Sequence, residues 1–584
     1  MGIAIAIALV ATFPMVLSPF SRLIGHGDVD VGNHAWGPWW WWSTLGRGTL
    51  PWETKLLGAP AGGVLWFIDP VLAGLGAAVV GIVGVVGAYN LVILLYVALA
   101  ALATRSLARA FGAGEAAWVA AVTAAMGPYL LSEVHNGVSE AVGVAWGTFA
   151  LAAARRGLAG GGARAWVACG AWLGLATAGT WYYGFAAGIT IGCWALLELL
   201  GPDRRAALRN VAGALGAGAL AGVLAAPVLA LVRASVSDPA SLVLRSDVGP
   251  AVREVLLAHN AVDPRAFFAP FGFQSVDLAA QGEAFLHSSY VGLVALALAG
   301  WALRRGRVSW RVAIGVLPAA VLSLGAWLSW GGEWVTIGGG RLALPFGWLV
   351  SALPDAGATH SQRLAWPVIA TVAALAAVGA GELIREHGRR VLIWITAACA
   401  LDMALSAPWP LARMDALDTR AHEALGELAR AERAAARAEG RPVRVGVLDL
   451  PAEVGRTMAT SRYLVYQAAS GLPIPYRPDA RGGTATLFGR PWFNVLFAMS
   501  AARPDEVESL RRALDGVTRV DLNLDSTELR WIVLHRELER GAGDVLRLEQ
   551  QLRAWFGEPE VSGEHLTWDV RARGAGAGQG EVLR

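Results

Sequence analysis

Gly25-His26-Gly27-Asp28-Val29-Asp30-Val31-Gly32-Asn33-His34-Ala35-Trp36-Gly37-Pro38-Trp39-Trp40-Trp41-Trp42 follows directly on the first apolar run of the chain. Asp28 and Asp30 stand two residues apart, just past a hydrophobic stretch and just ahead of a run of indoles. A carboxylate at the edge of a low-dielectric region is costly unless it is paired or used. Tryptophan collects where hydrocarbon meets water. The stretch therefore reads as the first outer loop of a membrane protein. Its two acids fit a general base acting on a hydroxyl, a pair holding a divalent cation, or solvated loop carboxylates beside an interfacial Trp belt.

Composition supports the membrane reading. Hydrophobic residues make up 55% of the 584, and charged residues only 16%. Mean hydropathy is +0.48. Soluble globular chains carry about 25% charged residues, so a soluble, disordered or basic-patch nucleic-acid-binding protein is excluded. The net charge of +3 directs no field at a polyanion. Cys169, Cys193 and Cys399 lie in apolar stretches with no Cys-X-X-Cys pair, which leaves no disulfide framework or zinc ribbon.

A bilayer-spanning helix needs about 20 apolar residues. Such runs occur at 2–20, 87–104, 116–133, 138–154, 165–181, 183–200, 210–232, 288–303, 310–330, 364–383 and 391–407, predicting an α-helical polytopic protein with about 11 transmembrane helices. The apolar segment 70–86 is expected to be interfacial or re-entrant, because Pro70 and several glycines interrupt it and no charged loop separates it from the next span. With the N-terminus cytoplasmic, five short inner loops carry fifteen arginines, among them Arg155, Arg156, Arg304, Arg305, Arg389 and Arg390. The outer loops, 21–86, 233–287 and 331–363, are far longer and carry fewer, as the positive-inside rule requires. Long outer loops point to function on the outer side.

Past residue 408 the pattern changes. A charged amphipathic helix over 412–440, strands over 443–450, 529–535 and 564–570, and helices over 503–517 and 544–556 predict a soluble α/β domain over 409–572. Eleven crossings from an inside start place it outside the cytoplasm. The Gly-rich tail 573–584 reads as disordered.

The loop continues through Gly46-Arg47-Gly48-Thr49-Leu50-Pro51, Gly58-Ala59-Pro60-Ala61-Gly62 and Asp69-Pro70, and Ala88-Tyr89-Asn90-Leu91 opens the next span. Farther on stand His135-Asn136-Gly137-Val138-Ser139-Glu140, Ser288-Ser289-Tyr290-Val291-Gly292-Leu293 and His360-Ser361-Gln362-Arg363. Tyr463 to Gln467, Gly471-Leu472-Pro473 and Leu529 to His535 follow in the C-terminal region. In this layout the chain resembles the bacterial polytopic glycosyltransferases of the GT-C fold. The resemblance implies a polyprenyl-phosphate-linked sugar donor, a lipid, glycan or protein acceptor, and a location in the bacterial inner membrane among its lipids. It also implies a catalytic acid in the first outer loop, matched here by Asp28 or Asp30; the spacing to Trp36 favours Asp30.

Arg363 heads an apolar span on a side where arginine is scarce, as a guanidinium holding a lipid phosphate does, or as one snorkelling to a headgroup does. Glu140 and His135 at one outer mouth, with Glu133 beside them, fit acceptor or metal contacts or an ordinary polar turn. Tyr182, in Trp181-Tyr182-Tyr183, fits sugar stacking or an aromatic belt. His34 and Trp36 of the first loop and His360 beside Arg363 complete the substrate-binding candidates. No cofactor signature is present beyond the divalent cation that paired acids accommodate, and no nucleic-acid partner is indicated. The competing reading is a non-catalytic protein: a binder of lipid-linked sugar, or a transporter or flippase accessory. Transporters place ionisable residues at the midplane of their spans, whereas these spans are nearly free of charge.

Overall fold

Pro70 opens a helical run that reaches Ala110 across a kink at Gly84; a proline suits the first helical position because the N–H it lacks would have had no partner there. In this computed structural model the described residues are 1–66, 69–242, 250–270, 285–352, 359–439, 445–454, 457–478, 485–501, 508–509, 512, 524–539 and 544–570. The segment 70–86 is largely helical, and a kink at Gly84 sets it off from the helix that holds the second expected span. Only Gly84 departs from helical geometry, with φ at 73°. The other glycines of the segment keep the helix, since their lost side chains weaken it without breaking its hydrogen bonds.

Among the described residues, five helical runs are long and apolar enough to cross a bilayer: Pro70–Ala110, Gly114–Asn136, Trp181–Leu200, Arg204–Ser237 and Ser361–His387. Shorter helices stand at the other expected spans, including Gly162–Gly179, Leu293–Arg304 and Arg390–Ser406. The first expected span, 2–20, is α-helical only over Gly2–Ala11. Pro14 and Pro19 follow, and a proline inside a helix removes one hydrogen bond and collides with the turn before it.

The C-terminal region is built on a four-stranded sheet in the order Gly446–Leu450, Leu529–His535, His565–Asp569, Glu560–Ser562. The first pair is parallel and the other two antiparallel. Helices Arg420–Glu439, Arg462–Ser470, Pro491–Ser500 and Asp544–Phe556 accompany it. The expectations at 529–535, 564–570 and 544–556 therefore coincide with elements, the strand expected over 443–450 appears as Gly446–Leu450, and the helix expected over 412–440 begins only at Arg420. The expected helix at 503–517 falls almost wholly, and the expected tail wholly, outside the described residues.

Two apolar cores result. One lies among the membrane-type helices. The other gathers the faces of the C-terminal sheet and helices and also takes in Trp36, Trp40, Leu57 and Leu65 of the first loop. That loop is consequently fixed between the two bodies of the molecule.

Candidate active site

The segment Gly25–Asp30 has little regular structure, and its backbone groups are satisfied from both sides. The amides of His26 and Asp30 donate to the carbonyls of His135 and Asn136, and the Gly25 amide donates to the Ala412 carbonyl. From above, the Met458 amide donates to the Asp28 carbonyl and Ser461 Oγ donates to the Val29 carbonyl. Gly32 makes this approach feasible, because a Cβ there would collide with the Ser461 carbonyl. On the other side Gly137, at φ 68°, ends helix Pro128–Asn136 in the left-handed region and lies against Val31.

Asp30 stands at the N-cap position of helix Val31–Leu45, where the helix dipole favours a carboxylate although its side chain makes no capping hydrogen bond. Asn33 Nδ2 donates to its Oδ1 at 2.8 Å. One turn on, His34 Nε2 lies 3.4 Å from Asp30 Oδ2 and 3.6 Å from Glu140 Oε2. Its Nδ1 stands 2.9 Å from Ser139 Oγ. Arg363 Nη2 in turn donates to Glu140 Oε1 at 2.9 Å. The four side chains form a line of alternating charge, Asp30–His34–Glu140–Arg363. It links the first loop to the turn Ser361–Ala365 that heads helix Trp366–His387.

Burial decides how these groups titrate. Burial alone would discharge His34, but the carboxylates of Glu140 and Asp30 outweigh it and raise the imidazole to about 9. Arg363 and His34 offset the cost of burying the Glu140 carboxylate between them. Asp30 alone of the four keeps substantial access to solvent, with its side chain 21% exposed.

Arg363 is 6% exposed, and its Nε has no hydrogen-bond partner. Its guanidinium carbon lies 5.5 Å from the centre of the Tyr182 ring. The Tyr182 hydroxyl accepts from the amides of Thr359 and His360 at 2.9 and 3.0 Å. Tyr182 thus joins His360 to Arg363. Beside it, Tyr182 and Leu364 pack in an apolar cluster with Leu257, Ala326 and Val350. These last three also line a cleft of about 370 Å³ together with Arg253, Trp327 and Trp348.

Other sequence candidates lie off the line. His135 packs its ring 5.2 Å from that of His26. Trp36 is 1% exposed, stacks on Trp40 and donates its indole N–H to Gln467 Oε1 at 2.6 Å, so it is part of the C-terminal core and presents no open ring face. The Asp28 amide donates to His26 Nδ1 at 3.2 Å. Among the described residues, the groupings of His, Cys, Asp and Glu atoms close enough to share one ion do not include Asp28 or Asp30.

Asp69 was visible only as part of an Asp-Pro step. It is 1% exposed, caps helix Pro70–Ala110 through the Leu72 amide, and accepts from the Tyr96 hydroxyl at 3.3 Å. Burial and the nearby Glu140 carboxylate push it up to about 6, against the Leu72 hydrogen bond. Sequence marks the Asp-Pro helix start but does not say that this start faces Glu140.

No protein-family model matches the chain, and no curated protein matches it. Solved structures do. The oligosaccharyltransferase of Archaeoglobus fulgidus in its apo form superposes with a TM-score of 0.52 at 13% identity, over 92% of this chain and 69% of that one. The same archaeal enzyme, AglB, in complex with an inhibitory peptide and a dolichol-phosphate gives 0.50 at 13% identity with the same coverage. The arabinofuranosyltransferase AftD from Mycobacteria gives 0.51 at 16% identity, over 98% of this chain and 40% of that one. A shared helical framework at so low an identity is a likeness of fold alone: the chain has a GT-C-like fold.

Proposed function

We propose that the chain is a membrane glycosyltransferase that moves a sugar from a polyprenyl-phosphate donor to a hydroxyl of an acceptor outside the cytoplasm. The observation that carries this reading is the line Asp30–His34–Glu140–Arg363, which ties the first-loop acid to a buried arginine. The fold supports it, since proteins of similar structure include one solved with a dolichol-phosphate and an arabinofuranosyltransferase.

Asp30 has the solvent access that a base needs to meet an acceptor. It takes the acceptor's hydroxyl proton as the oxygen attacks the anomeric carbon. The bond from that carbon to the phosphate oxygen breaks, its electron pair goes to the phosphate, and the anomeric configuration inverts. Arg363 Nε, buried without a partner, is the donor available to the departing phosphate. The apolar cleft along Leu257, Trp327 and Val350 suits the isoprenoid chain. Because Glu140 and His34 neutralise the neighbouring charges, the arrangement persists before donor arrives.

In this reading the chain crosses a bacterial inner membrane eleven times from a cytoplasmic N-terminus. Residues 1–408 form the membrane domain, and 409–572 form an extracytoplasmic domain that seats the first loop.

The test is release of free polyprenyl phosphate by purified protein in lipid, across a panel of polyprenyl-phosphate sugars. Wild-type release is expected, with Asp30→Asn reducing it by about a hundredfold or more, the scale of a lost general base. Asp28→Asn should retain most of it. Equal collapse in Asp28→Asn alone would move the base to that residue. Donor binding without release would replace the enzyme with a binder of lipid-linked sugar.

A further inference from the structure

The C-terminal sheet holds a second group of ionisable side chains, remote from Asp30. Strand Leu529–His535 ends on His535, and its antiparallel neighbour begins on His565, directly opposite in register. Glu537 follows in the turn Arg536–Leu538. Tyr466 comes from helix Arg462–Ser470, Asp449 from strand Gly446–Leu450, and His422 from helix Arg420–Glu439. The three histidines and Asp449 are all at most 1% exposed.

Hydrogen-bond geometry separates the group into two halves. Asp449 Oδ1 lies 2.7 Å from His422 Nε2 and 2.9 Å from His535 Nε2. Both distances are ordinary charge-assisted hydrogen bonds, so both imidazoles carry hydrogen on Nε2. With Nε2 turned to Asp449, His535 Nδ1 is the nitrogen that faces Glu537 Oε1, at 3.3 Å, where either a hydrogen of an imidazolium or a metal ion fits between them. A proton would draw the pair to the spacing seen at Asp449. Instead three atoms surround Glu537 Oε1 at longer range: His535 Nδ1 at 3.3 Å, the Tyr466 hydroxyl at 3.3 Å and His565 Nε2 at 3.5 Å. Zinc bonds imidazole and carboxylate at about 2.0–2.1 Å, so the edge of its coordination tetrahedron is about 3.3–3.4 Å. His565 Nδ1, His422 Nδ1 and Asp449 Oδ2 are buried with no hydrogen-bond partner, which a purely hydrogen-bonded core avoids.

We infer that His535 Nδ1, His565 Nε2 and Glu537 Oε1 form a site for a divalent transition-metal ion of the zinc type, with the Tyr466 oxygen or a water as fourth ligand. Two imidazoles and one carboxylate are the donor set that borderline metals take over calcium or magnesium. Asp449 stands behind His535 and holds its Nε2–H, the arrangement that fixes a ligating imidazole in the right tautomer. Glu537, the part-exposed member of the set, provides the entry path. The ion would clip two strands to helix Arg462–Ser470. The same helix binds Trp36 through Gln467, and Ser461 just before it holds the Val29 carbonyl. The site is therefore a brace for the seat of the first loop.

The test is metal content of the full-length protein in lipid nanodiscs, after chelator treatment and return of zinc or cobalt(II). Wild type should retain one equivalent of zinc, and its cobalt form should show the strong visible absorption of tetrahedral coordination. Glu537→Gln and His565→Ala should both lose the ion and the band, and Asp449→Asn should weaken affinity by about ten- to a hundredfold. Asp30→Asn is the control for metal held at the other site and should keep the full equivalent. Glu537→Gln keeps the shape of a part-exposed side chain, so loss of binding with an unchanged circular dichroism spectrum is not a folding failure. Absence of stoichiometric zinc in wild type would overturn the proposal. So would zinc retained in both Glu537→Gln and His565→Ala, or zinc lost with Asp30→Asn.

Discussion

Asp30, His34, Glu140 and Arg363 depend on one another through charge, and each tests the others. His34 is raised to about 9 from an ordinary 6.5, so its pairing stabilises the fold fully below the ordinary value. That contribution is lost as pH rises through about 9. Thermal unfolding followed across that window should show wild type losing stability as it is made alkaline, with His34→Gln showing a flatter profile. Arg363 and Glu140 are both buried, at 8% and 6% side-chain exposure. Removing one partner strands the other charge, which costs about 3–5 kcal/mol. Arg363→Met should therefore lower the unfolding midpoint strongly, and the double variant with Glu140→Gln should recover much of it. Activity should stay lost in both, because the recovered fold still lacks the cation for the leaving phosphate.

At the scale of elements, the site depends on how closely helix Val31–Leu45 can approach the turn Ala459–Ser461. Gly32 sits at the contact, where a Cβ would meet the Ser461 backbone. Overpacking of this kind costs about 1–3 kcal/mol. Gly32→Ala should lower both the melting temperature and phosphate release, although the residue touches no reacting atom. By contrast Gly48, in the turn after that helix, has open space around the missing Cβ but φ at 71°, so Gly48→Asn should be tolerated in both measurements.

At the scale of the whole molecule, the arginine asymmetry and the C-terminal sheet make one claim about sidedness. Helix Arg420–Glu439 should face outward and the turn before helix Arg390–Ser406 inward. Arg430 and Arg389 are well exposed, at 72% and 82% of their side chains. In cells, Arg430→Cys should react with a membrane-impermeant maleimide and Arg389→Cys only after permeabilisation, with Cys169, Cys193 and Cys399 replaced by serine in both backgrounds. The reverse pattern would invert the topology and put Asp30 on the cytoplasmic side.

Properties set by neighbours along the chain were legible in the residues alone. Low charge and long apolar runs declared the membrane helices, and the short apolar run Leu529–His535 declared a strand with the bounds it has. Asp28–Asp30 beside the indoles marked the loop worth attention, and an arginine at the head of an apolar run marked Arg363. What lay beyond such reading is decided by contacts distant in sequence. The spacing to Trp36 favours Asp30 over Asp28, but only the fold sets His34, one turn on from Asp30, against Glu140 and so in line with Arg363. Trp36 has the composition of a membrane-belt residue, yet Gln467, 431 positions away, takes its N–H into the C-terminal core. His422, Asp449, His535 and His565 look like scattered polar residues of a soluble region until strand register and helix packing bring them together. Hydropathy and helix propensity act over a few residues, so a sequence displays them directly. The meeting of buried charges depends on the packing of whole elements, so only the tertiary structure brings Asp30, His34, Glu140 and Arg363 into one line and His422, Asp449, His535 and His565 into one group.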